Sequence, residues 1–94
     1  MIQHIVMWKF REGTEAEQER FLKGLESLEG QIPQIRSLQV RRSAVEGSEF
    51  DAVLISRFDS LQDVETYKND PRHVAVASIC KAIRTSRCAI DIEE

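Results

Sequence analysis

Three side chains in this sequence can carry acid–base chemistry near neutral pH: His4, Tyr67 and His73. The two histidines are the only ones in the chain, and the tyrosine is its only tyrosine. An imidazole changes charge near physiological pH and is the commonest general base. Tyr67 and His73 flank an Asp70-Pro71 pair. In an unbroken helix, six residues of separation set two side chains about 240° apart around the axis, too far to share a pocket. A break at Asp-Pro permits a change of axis that can bring them together. His73 would then act as a general base, with Tyr67 orienting it or polarising a carbonyl. The same residues also fit a structural role, with His73 packed at a helix join and Tyr67 burying its ring while its hydroxyl stays in water. His4 shares a strand face with Val6 and Trp8. There it reads either as a third member of the site or as a core histidine satisfied by a hydrogen bond to the second helix. Val6, Trp8 and Phe21 are the candidate lining of a ligand cavity, or else simply core.

Other reactive types give weaker signals. Cys80 and Cys88 have no zinc-like spacing and stand in apolar surroundings, so packed, reduced thiols are expected. No carboxylate and histidine cluster is spaced for a divalent ion, so neither metal nor cofactor is expected. Arg41, Arg42 and Arg57 read as charges that keep an edge strand from mispairing. The net charge is −3 with scattered Lys and Arg, which disfavours a nucleic-acid partner. No apolar run is long enough to cross a membrane. Met1 leads directly into a strand pattern without a secretory signal, so a cytoplasmic location is expected.

These side chains must be positioned by about six elements. Residues 2 to 10 alternate, with Ile2, His4, Val6, Trp8 and Phe10 on one face and Gln3, Ile5, Met7 and Lys9 on the other, a strand signature. Thr14 and Glu17 form a capping-box pattern ahead of Phe21, Leu25 and Leu28, which predicts a helix over 15–29. Gly30 suits its left-handed cap, and Pro33 stops it from resuming. Residues 35–44 read as an edge strand and 51–58 as its more buried hairpin partner, joined by Glu46-Gly47-Ser48-Glu49. Ser60 and Asp63 repeat the capping pattern before a helix through Tyr67. Asp70 caps a further segment over 71–83, with Pro71 at its first position. Residues 85–92 alternate as a closing strand. The order is that of a single ferredoxin-like βαββαβ domain over 1–94, a four-stranded antiparallel α+β sheet with its helices on one face.

Helices on one side leave the other side of the sheet uncovered. The first and third strands nevertheless carry apolar groups there: Ile5, Met7, Val53 and Ile55. Burying one Val or Ile side chain is worth roughly 1.5–3 kcal/mol, so four or more per subunit should drive association. A homodimer through the helix-free sheet face is therefore expected, the two sheets closing a dimeric α+β barrel.

Four stretches resemble the stress-responsive dimeric α/β-barrel (Dabb) domain family: HIVMWKF at 4–10, IPQIRSLQV at 32–40, DAVLISRFDS at 51–60 and YKNDPRHVAV at 67–76. The resemblance covers nearly the whole chain. It implies a ferredoxin-like fold and a homodimeric barrel. One plant branch of the family contains a polyketide cyclase that closes a linear tetraketide by aldol chemistry. The resemblance matches its pocket positions to His4, Tyr67 and His73, residue types shared widely across the family. Two functions stay open. One is a small homodimeric stress-responsive barrel protein without a defined catalytic cycle. The other is a small-molecule binder or polyketide-cyclase-like enzyme with a His/Tyr acid–base pocket between sheet and helices. A cavity of roughly 300 Å³ or more reached by His73 would favour the second; Trp8 and Phe21 filling that space would favour the first.

Overall fold

The computed structural model describes all 94 residues. The chain runs β1 (Ile2–Phe10), α1 (Glu15–Glu26), β2 (Ser37–Arg42), β3 (Ala52–Phe58), α2 (Leu61–Asn69), α3 (Pro71–Ile83) and β4 (Arg84–Glu93). The strands form one antiparallel sheet in the order β2-β3-β1-β4, so β1 and β3 are central and β2 and β4 are edges. This is the expected ferredoxin-like arrangement, with the second crossover split into two helices.

Alternation along the central strands sets the layers. Even-numbered residues of β1 and β3 are buried beneath the helices, and odd-numbered ones are half-buried on the far side. The core unites Val6, Trp8, Phe10, Leu54 and Phe58 from the sheet with Phe21, Leu25, Val64, Tyr67, Cys80 and Ile83 from the helices. At Gly24, α1 meets α3 so closely that an added Cβ would lie 3.1 Å from Val76 Cγ1.

Local chemistry explains most of the element ends. The Ser60 hydroxyl accepts from the Asp63 amide at 3.1 Å, and the Asp70 carboxylate accepts from the Arg72 amide at 2.8 Å. Pro71 then opens α3 where its missing N–H costs nothing. The arginine beside Asp70 pulls its carboxyl down to about 2. Two expectations fail at α1. The Thr14 capping box does not form: the Thr14 hydroxyl donates backward to the Arg11 carbonyl at 2.6 Å and accepts from Gln18 Nε2 at 3.0 Å instead of from a helix-start amide. The helix also ends at Glu26 rather than 29. The chain tightens into i→i+3 bonds there, Leu28 N–H to the Leu25 carbonyl and Glu29 N–H to that of Glu26, and Leu28 and Ile32 turn into the core. Gly30, at φ +87°, serves that turn rather than a helix cap.

Candidate functional site

The register of the sheet and the break at Pro71 together create a cleft. Helix α3 packs chiefly on α1 rather than down onto β4, and the helix-side residues of β4 stay open. Between them lies a cavity of about 270 Å³, half open to solvent. β1 contributes His4, Val6 and Trp8, α1 contributes Phe21 and Leu25, and α3 contributes His73, Val74, Ala77 and Cys80. Lys68, Lys81, Arg84 and Arg87 complete the lining, with Leu54 at the floor. The volume falls just short of the roughly 300 Å³ at which small-molecule sites begin. Trp8 and Phe21 do not fill the space. They pack edge to face at 4.9 Å between ring centroids and form one wall.

Five of the six residues singled out in the sequence line this cleft: His4, Val6, Trp8, Phe21 and His73. Tyr67 does not. It is wholly buried beneath the cleft, in a ring cluster with His73 at 4.4 Å, Phe58 at 5.2 Å and His4 at 6.1 Å. The helix break therefore does bring Tyr67 and His73 into contact. The tyrosine hydroxyl, expected to be wet, is instead buried with no hydrogen-bond partner. Burial raises its pKa well above the usual phenol value, so it stays a neutral O–H.

Both imidazoles are held by one nitrogen. His4 Nδ1 lies 2.6 Å from Asp91 Oδ1, and His73 Nδ1 lies 3.0 Å from the Lys68 backbone carbonyl. A carbonyl and an ionised carboxylate can only accept, so each Nδ1 carries the proton. The neutral rings then present Nε2 as a lone-pair base. Burial lowers the pKa of His4 and outweighs the opposing pull of Asp91, because the carboxylate side chain is 32% exposed and the imidazole only 4%. Burial likewise lowers His73, against its bond to Lys68 and with help from the nearby His4 and Arg87. Burial raises the pKa of the Cys80 thiol, a packed part of the lining.

Asp91 carries no signal in the sequence. The expected partner of His4 was the second helix; the actual one sits on β4, directly opposite His4 in the β1–β4 register. Pairing β4 antiparallel to β1 in sequence would have exposed the match. The same pairing sets Arg87, a lining residue the sequence left unmarked, opposite Trp8. No group of three or more His, Cys, Asp or Glu side chains is arranged to hold a metal ion. No helix is long and apolar enough to cross a membrane.

A four-stranded antiparallel sheet with all helices on one face defines a ferredoxin-like α+β protein. The family model described as "Stress responsive A/B Barrel Domain" matches residues 2–94, and the chain belongs to that family. A dimeric protein of unknown function and ferredoxin-like fold from Bacteroides fragilis NCTC 9343 is 31% identical, with a TM-score of 0.92 over 99% of this chain and 95% of its own. A dimeric ferredoxin-like protein from Thermobifida fusca is 19% identical, with a TM-score of 0.87 over 99% of this chain and 90% of its own. A hydroxynitrile lyase from Passiflora edulis shares the fold at 14% identity, with a TM-score of 0.84 over 99% and 94% of the two chains. No curated protein matches.

Proposed function

We propose that this barrel-domain protein binds a small carbonyl compound in the cleft and performs acid–base chemistry on it. The observation that carries this reading is the paired fixation of His4 and His73. Each ring has its Nδ1 proton committed to a neighbour, which leaves Nε2 as the base on a common, partly apolar lining. Depressed pKa values keep both rings neutral at pH 7. In the proposed step His73 Nε2 takes a proton from the carbon next to the carbonyl. The C–H electron pair passes to the carbonyl oxygen as an enolate, and the proton returns from the imidazolium to carbon or oxygen. His4, held by Asp91, is the second acid–base group, Tyr67 positions His73 through ring contact, and Val6, Trp8 and Phe21 hold the substrate body. A fold shared with a hydroxynitrile lyase is compatible with such chemistry.

The direct test is α-proton exchange of a neutral ketone, 4-phenyl-2-butanone, in deuterium oxide, followed by loss of its proton NMR signals. The wild type should accelerate exchange, and His73→Gln should lose about 10²-fold or more of that acceleration, the usual contribution of a positioned base. Equal rates for the two proteins would remove His73 from the chemistry. A second reading, a barrel with no catalytic cycle, draws on the modest cavity and on the withdrawal of Tyr67 from it. Under that reading neither protein exceeds the buffer rate.

The homodimer belongs to the same proposal, formed through the helix-free face. Ile5, Met7, Val53 and Ile55 are half-buried there, and β4 adds Ile90 at 57% and Ile92 at 39% exposed in the single chain. The dimeric Bacteroides and Thermobifida proteins support this reading. Light scattering should give twice the 10.8 kDa chain mass, and Ile55→Lys with Ile90→Lys should reduce it to one chain. The free thiols Cys80 and Cys88 favour a reducing compartment, in line with a cytoplasmic protein.

A further inference from the structure

The charge around the cleft is of one sign. Lys68, Lys81, Arg84 and Arg87 all line it, and no Asp or Glu does. Elsewhere on the surface most of the long cations are matched to carboxylates, among them Arg36 to Asp59, Arg57 to Glu94 at 2.7 Å and Arg72 to Asp70 at 2.8 Å, while Arg11, Arg20 and Arg41 are not. Lys68 has a partial partner in Glu65 at 3.6 Å, but Lys81, Arg84 and Arg87 have no carboxylate within ion-pair distance. Asp91, the acid nearest along β4, is committed to His4. A guanidinium recognises a carboxylate through paired, parallel N–H donors, and beside low-dielectric walls such a contact is worth more than in open water.

The sheet register gives the cleft a direction. Along the helix side of β4, Arg87 lies opposite Trp8, Ala89 opposite Val6 and Asp91 opposite His4. Arg87 and His4 are thus offset by four strand residues, on the order of 13 Å along the sheet, with Ala89 and Val6 between them.

We propose that the cleft is built for an elongated small-molecule anion, a carboxylate on an apolar body. Arg84 and Arg87 hold the carboxylate, and Val6, Trp8 and Phe21 hold the body that runs toward the two imidazoles. The assignment rests on the acid–base reading of the same cleft and names its substrate class. Arg84 and Arg87 are the specificity residues, since a neutral molecule of equal shape leaves them unpaired.

Trp8 is the only tryptophan and forms part of the wall, so its fluorescence reports occupancy directly. The experiment titrates octanoate and 4-phenylbutanoate, each beside its primary amide, into the wild type and R84Q/R87Q, with circular dichroism confirming that the variant is folded. Each acid should bind at least tenfold more tightly than its amide, and the advantage should shrink as salt is raised. The double variant should lose that advantage and bind the amides as the wild type does. Equal affinity for acid and amide in the wild type, an advantage that survives in R84Q/R87Q, or no response of Trp8 to any of the four compounds at millimolar concentration would overturn the assignment. The ketone exchange assay separates the two proposals, because its probe is uncharged. Exchange in the wild type without any preference of the wild type for acids sinks only the anion assignment. A preference for acids without exchange in the wild type sinks only the acid–base reading.

Discussion

Two groups of rings lie under the helices and differ in what they can do. At one end Trp8, Phe10 and Phe21 meet edge to face, with no titratable atom between them. At the other, Phe58 and Tyr67 pack against His4 and His73. The first group is held by area and shape alone. The second contains a buried hydroxyl with no partner, an imidazole tied to a carboxylate on the opposite edge strand, and another tied to a helix-end carbonyl. A core built only for stability has no use for such atoms, each of which costs free energy to bury. The contrast separates packing from the proposed site within one continuous core.

Substitutions should break the two groups differently. Phe21→Ala removes a ring that is 2% exposed, and should cost about 3–5 kcal/mol in urea unfolding, the usual range for a buried Phe. A loss under 1 kcal/mol would mean that the apolar end is not the mechanical core. Asp91→Ala leaves the His4 Nδ1 proton buried without an acceptor and should cost about 1–3 kcal/mol. It should also slow ketone exchange, whereas a purely structural pair would change stability only. Tyr67→Phe deletes the orphaned hydroxyl and keeps the ring, so it should raise stability by about 1 kcal/mol. A fall of that size would show that the hydroxyl is hydrogen-bonded in solution.

The pH dependence should come from the second group. Both imidazoles are harder to protonate in the folded chain than at their ordinary value of 6.5. Below that pH the unfolded chain therefore binds more protons, and stability must fall as the solution is acidified from 6.5 toward the lower folded values. Melting temperatures across this window should drop in the wild type and drop less in His73→Gln. The same slope in both proteins would contradict the burial of His73 as a neutral ring.

Much of this was legible in the sequence, for particular reasons. The period-two alternation of residues 2–10 and 52–58 set both sheet faces, and Asp70-Pro71 fixed a helix join, because these signals are local. His4, Val6, Trp8, Phe21 and His73 were legible as a set because strand parity and the break aim them to one side. Three features were not. Asp91 and Arg87 lie on a strand whose helix-side residues look like an ordinary solvated face, and only the β1–β4 register gives them partners. The Thr14 cap lost to the Gln18 side chain, which donates to the Thr14 hydroxyl while that hydroxyl donates to the Arg11 carbonyl. The dry hydroxyl of Tyr67 depends on how α2 and α3 close over it, which no local pattern encodes.

The central claim is that two neutral imidazoles, each with its proton on Nδ1, offer Nε2 to one cleft. Nitrogen-15 NMR of the histidine rings across a pH titration reads tautomer and protonation at once. His4 and His73 should both show protonated Nδ1 and bare Nε2 at pH 7, with midpoints below 6.5. A proton on Nε2 of either ring, or a midpoint above 6.5, would contradict that claim.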